Sequence, residues 1–216
     1  MKGYVSKIYE PKEEKLNVLT HGFGLIASIV ATVFLIVKAS KLGDVWHIVS
    51  FSIFGVSLII LYAASTFFHN AKDPKIRKRL NIFDHASIYV LIAGTYTPFT
   101  LVTLHGKTGW WIFGITWFLA LTGVILKLFF TGKFDKLSTL MYVFMGWIIV
   151  FAIKPLLISL PTEGVQWLFA GGISYTIGAI LYSINKLKFN HAIFHVFVLI
   201  GSFCHFVSVY FYVLNV

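Results

Sequence analysis

The chain has 216 residues, of which 58% are hydrophobic and only 12% charged, with a formal net charge of +10 and a mean hydropathy of +0.84. Soluble domains run near a quarter charged, so this composition excludes an ordinary soluble enzyme and points to an integral membrane protein. The Lys and Arg residues cluster beside apolar runs, as in cytoplasmic loops, so nucleic acid is not an expected partner. The lone Cys204 excludes a disulfide framework and a cysteine-based zinc site.

Residues 1–15 mix Lys2, Lys7, Lys12 and Lys15 with Glu10, Glu13 and Glu14, and read as a short cytoplasmic lead. The apolar run after them is too long for a signal-peptide core and has no clear cleavage site, so the first span is expected to be retained. A spanning helix takes about 20 apolar residues. On that measure the chain is a single all-α domain of seven transmembrane helices, at 17–37, 46–68, 82–104, 110–130, 137–153, 165–184 and 191–214. Fourteen basic residues fall on the N-terminal side of this topology and four (Lys38, Lys41, Lys107, Lys154) on the other. The N-terminus is therefore expected in the cytoplasm and the C-terminus outside it. Pro98 should kink the third span, either for packing alone or to shape a cavity. Gly171, Gly172, Ser174 and Gly178 offer small residues for close helix contact in the sixth. Trp46, Trp110, Trp111 and Trp167 read as interfacial anchors.

Polar groups in apolar spans are costly and each needs a reason. His191 and His195 stand four residues apart on one helical face, the spacing with which a helix offers two imidazoles to one metal. Ser65 and His69 repeat that spacing at the end of the second span, and Asp84 opens the third. The expected topology brings all five to the cytoplasmic side, with His69, Asp84, His191 and His195 at similar depth. Three imidazoles and an open position suit catalytic zinc; two imidazoles and a carboxylate suit iron. Asp84 either binds the metal or holds its water as a general base, and the second arrangement keeps zinc four-coordinate. A buried hydrogen-bond network without metal is the plain alternative. Ser65 is expected either to bond back to the carbonyl of Leu61 or to donate toward a substrate carbonyl. His85, about 100° round the helix from Asp84, cannot face the same centre equally well. His21 lies on a polar stripe with Glu14, Asn17 and Gly24, and either caps the first helix or joins the site. His47 and His105 read as interfacial, and His205 as a packing histidine bonded within the bundle.

Taken together, Glu14, Asn17 and His21, Ser65 and His69, Asp84, the run from Ala93 to Pro98, and His191 with His195 resemble the bacterial hemolysin III branch of the progestin and adipoQ receptor family. The resemblance covers nearly the whole chain. It implies a seven-helix bundle with zinc near the inner leaflet, held by His69, His191 and His195, with Asp84 on the zinc-bound water and Ser65 beside it. It also implies hydrolysis of ceramide-like amides, as in the receptor branch and the alkaline ceramidases of the wider superfamily. The short lead in place of the long N-terminal region of the animal receptors argues against partner-coupled signalling. Three functions follow as expectations: a zinc-dependent hydrolase of lipid amides or esters in the plasma membrane, with membrane lipids as partners; a non-enzymatic sensor or homeostasis protein with structural zinc; and a lytic protein. Spans four to six carry almost no charge at mid-depth, which disfavours a monomeric pore.

Overall fold

The computed structural model describes residues 9–131 and 134–214. Lys2, Lys7 and Lys133 of the basic tally lie outside these residues, and the side chain of Lys136 is also undescribed. Among the described residues every regular element is helical, and seven segments are long and apolar enough to cross a membrane. They comprise α1 (Pro11–Leu42), α2 (Val45–Asn70), α3 (Pro74–Pro98), α4 (Lys107–Phe130), the paired short helices α5 (Asp135–Gly146) and α6 (Ile153–Ser159), α7 (Thr162–Ser183) and α8 (Asn190–Ser208). The protein is thus a multi-pass membrane protein built on a seven-helix bundle.

Local chemistry sets the helix ends. Pro11 and Pro74 occupy the first turns of α1 and α3, where a missing N–H costs nothing. Asp73 Oδ1 accepts from the backbone N–H of Lys75 and Ile76, and Asp44 Oδ1 caps α2 by accepting from Trp46 and His47. Gly106, with φ of +113°, makes the turn into α4 in a conformation that a side chain would strain.

Two spans depart from plain α-helix. Pro98 ends the α-helical part of α3, which continues as a π-helical turn over Phe99–Thr103. The fifth span, expected at 137–153, reaches Ser159 and is broken between α5 and α6 by a 3-10 turn at Ile148–Ala152. Tyr96 repairs that break: its hydroxyl donates to the Gly146 carbonyl and accepts from Ile149 N–H, both at 2.9 Å. α3 therefore stitches the broken span and carries the wall of a cavity between α3, α5, α7 and α8.

α1 packs against α2 and α8, and α7 against α8. The buried face of α1 is polar, carrying Glu13, Asn17, His21, Ser28 and Thr32, while Leu19, Phe23 and Ile26 on its other faces are exposed. In lipid this inversion is stable, because the apolar face meets hydrocarbon and the polar face turns into the bundle, away from it. Glycine sets the close approaches: a Cβ at Gly24 would lie 2.6 Å from the Tyr62 ring of α2, and one at Gly94 2.3 Å from Ser57 Oγ.

Candidate metal centre

His69 comes from the last turn of α2, and His191 and His195 from the first turns of α8. They are 4%, 6% and 1% exposed. One ring nitrogen from each lies within 4.8 Å of the other two, so the group can hold a metal ion. The closest pair is His69 Nε2 and His191 Nε2, at 3.0 Å.

The outward nitrogens decide which way the lone pairs face. His69 Nδ1 stands 2.7 Å from Glu14 Oε2, and the other oxygen of that carboxylate accepts from the Arg77 guanidinium. An ionised carboxylate only accepts, so His69 Nδ1 carries the hydrogen and Nε2 presents its lone pair inward. His195 Nδ1 lies 3.3 Å from Thr20 Oγ1, whose single hydrogen goes to the Leu16 carbonyl at 2.8 Å. Thr20 can then only accept, and the same tautomer follows for His195. His191 Nδ1 meets the Tyr9 hydroxyl at 2.9 Å, while its backbone N–H donates to Glu13 Oε1 at 3.1 Å. Two inward nitrogens 3.0 Å apart either share a proton or face a common cation. Buried imidazoles that converge on one point and have partners at their outer nitrogens are the make-up of a metal-ligating histidine set, so the residues present fit zinc.

Around this triad lie polar groups with no such partners. His21 is 3% exposed and stacks on His195, ring centroids 3.4 Å apart, and neither of its ring nitrogens has a hydrogen-bond partner among the described residues. It belongs to the site and does not cap α1. Ser65 Oγ is likewise without a partner, so the expected bond to the Leu61 carbonyl is not formed. Ser65, His21 and Asp84 border the same cavity as His191 and His195. Asp84 is 7% exposed and lies outside the tight donor group, as does His85. His47 pairs with Asp44 at the head of α2, and His105 bonds the Leu101 carbonyl at 2.8 Å. His205 borders the cavity far from the triad, and its Nδ1 has no partner, contrary to the expected bond within the bundle.

A profile described as "Haemolysin-III related" matches residues 9–206. The chain belongs to the haemolysin-III related family. It is 52% identical over 203 residues to "Hemolysin-3" of Bacillus cereus, covering 94% of this chain and 93% of that protein. It is 50% identical over 205 residues to the "Hemolysin-3 homolog" of Bacillus subtilis (strain 168), covering 95% and 96%. To the human "Monocyte to macrophage differentiation factor" it is 28% identical over 219 residues, covering 94% and 87%. The match spans every element of this haemolysin-III related centre.

Four residues of the centre escaped sequence reasoning: Tyr9, Glu13, Thr20 and Arg77. Arg77 sits in the basic loop segment yet is only 6% exposed, its guanidinium also bonding the Phe68 carbonyl at 3.2 Å. Its signal was its place eight residues after His69, among lysines with which it was grouped. Thr20 precedes His21 on α1, and Tyr9 stands in a stretch with no periodicity.

Proposed function

We propose that this chain is a zinc-dependent hydrolase of lipid amide or ester bonds in the plasma membrane, with its N-terminus and metal centre on the cytoplasmic side. The observation that carries this reading is a buried triad of imidazoles, two of which, His191 and His195, line a cavity that also holds a carboxylate and a serine hydroxyl with no partner among the described residues. Zinc bound there supplies a Lewis acid and lowers the pKa of a bound water to about 7. The rest is the work of the chain. His69, His191 and His195 hold the ion, oriented by Glu14, Tyr9 and Thr20. Asp84 accepts the proton of the attacking water and returns it to the departing nitrogen or oxygen as the acyl bond breaks. Ser65 donates its hydroxyl hydrogen to the oxygen on which negative charge develops. The apolar cavity takes the acyl chain, and the basic stretch from Lys72 to Arg79 faces the anionic headgroups of the inner leaflet.

A structural zinc site is normally closed by four protein ligands. The described donor group has three, with Asp84 outside it, which favours the hydrolase over a sensor with structural zinc. The names of the bacterial relatives raise the lytic reading, which is weaker here because Leu91, Ile92 and Phe169 line the cavity and a conducting path needs polar lining. The deciding experiment is Asp84→Asn in purified protein supplied with a ceramide-like amide. The variant is expected to keep its zinc and lose turnover. Undiminished turnover would remove the mechanism.

A further inference from the structure

The cavity does not end at the histidine triad. It follows α8 from His191 and His195 to His205, and the ten residues between the last two span roughly 15 Å of helix. That is about half of a 30 Å hydrocarbon core, the depth covered by the acyl chains of one leaflet. Between the two ends Ile92, Phe194 and Val198 make an apolar wall.

At the far end most polar groups are engaged by the chain itself. Tyr96 bonds Gly146 and Ile149. Thr176 donates to the Gly172 carbonyl at 2.8 Å and accepts from Trp147 Nε1 at 3.0 Å. The Tyr175 hydroxyl meets Ser202 Oγ at 2.9 Å. His205 differs: it is 5% exposed and its Nδ1 has no hydrogen-bond partner among the described residues. The opposite helix makes room for the ring, since a Cβ at Gly171 would lie 2.6 Å from His205 Nε2. Leucine or phenylalanine would fill such a place in an apolar wall without the cost of burying a polar ring.

We propose that His205 anchors a second polar subsite, and that it takes a hydroxyl carried on the distal half of an acyl chain whose head lies at the triad. The placement of the head rests on the proposed function; the subsite itself needs no hydrolysis. A ring nitrogen of a neutral imidazole carries either an N–H or a lone pair, and a hydroxyl both accepts and donates, so one oxygen can pair with one nitrogen of His205 in either tautomer. A plain alkyl chain offers the ring no hydrogen-bond partner.

Oleate and ricinoleate share chain length and unsaturation, and ricinoleate adds a hydroxyl in the distal half, so they make a matched pair of probes. Their binding to the purified full chain is measured beside its zinc content. The wild type is expected to bind ricinoleate roughly tenfold more tightly, and His205→Phe or His205→Leu is expected to erase the preference while leaving zinc content unchanged. Equal binding of the two probes by the wild type, no binding of either, or a preference that survives both substitutions overturns the subsite. A ricinoleate preference in a protein that holds no zinc upholds the subsite and refutes the metal reading alone.

Discussion

Glu14 stands 2.7 Å from His69 Nδ1, and its second oxygen is held by the Arg77 guanidinium, so one carboxylate joins the first helix to the end of the second and the start of the third. The guanidinium gives this carboxylate a cationic partner, and the carboxylate in turn orients the His69 ring. Glu14→Gln removes the charge while nearly preserving shape, and a metal affinity reduced about 10-fold to 100-fold is expected in chelator competition. Arg77→Met leaves the partly buried carboxylate without its cation, and thermal unfolding should show a loss of roughly 3 kcal/mol.

The Tyr9 hydroxyl does for His191 what Glu14 does for His69. Burial and the neighbouring Tyr182 push the Tyr9 phenol above its ordinary range, so it stays neutral where a free tyrosine, with a pKa of about 10, would ionise. Tyr9→Phe is expected to weaken zinc binding about tenfold, with the same deficit at neutral and alkaline pH. A deficit that grows on alkalinisation would show that the phenol is ionising, because a phenolate is the stronger acceptor.

Zinc content itself tests the triad. About one zinc per chain is the expectation for three convergent imidazoles in one buried group, measured by elemental analysis of detergent-purified protein. His191→Ala and His195→Ala should each lose it, and chelation of the wild type should lower its melting temperature, because a ligand bound only to the folded state stabilises it.

Ser65 separates structural from chemical roles. Its hydroxyl has no partner among the described residues, so Ser65→Ala should leave stability within about 1 kcal/mol of wild type. Turnover should fall roughly a hundredfold, the usual result of removing one oxyanion donor. A large loss of stability with normal turnover would make Ser65 a packing residue.

On the opposite side of the bundle, the His47 ring and the backbone N–H groups of His47 and Trp46 hold Asp44 below the usual carboxylate range. A depressed folded pKa gives stability that is present above the unfolded value, about 3.9, and is lost as pH falls through the folded one. Asp44→Ala should cost about 1 kcal/mol near neutral pH, and the difference from wild type should shrink on acidification below about pH 4.

Much of this was legible in the chain. Hydropathy placed seven helical spans, and the four-residue spacing picked out His69 with Ser65 and His191 with His195. The fifth span was read too short because its 3-10 break depends on Tyr96, which bonds both sides of it from another helix. His205 was misjudged for the opposite reason: it was expected to bond within the bundle, yet its Nδ1 has no partner among the described residues. For Ser65 the same observation removes one of the two expected readings, the bond back to the Leu61 carbonyl, and leaves the other, a donor toward a substrate.

Span length, helical periodicity and residue spacing are local properties, so the chain alone was enough for a membrane protein of seven helices and for histidine pairs presented on one helical face. Which helices became neighbours was decided only by tertiary packing, where glycines admit the Tyr62, Ser57 and His205 side chains at distances that a Cβ would forbid. That packing turned the polar face of α1 inward, brought Tyr9, Glu14 and Thr20 to the outward nitrogens of all three histidines, and carried the cavity on to His205. The physical reason is that an imidazole's tautomer and a hydroxyl's partner are set by groups far away in the chain, and only close packing in three dimensions brings those groups within reach.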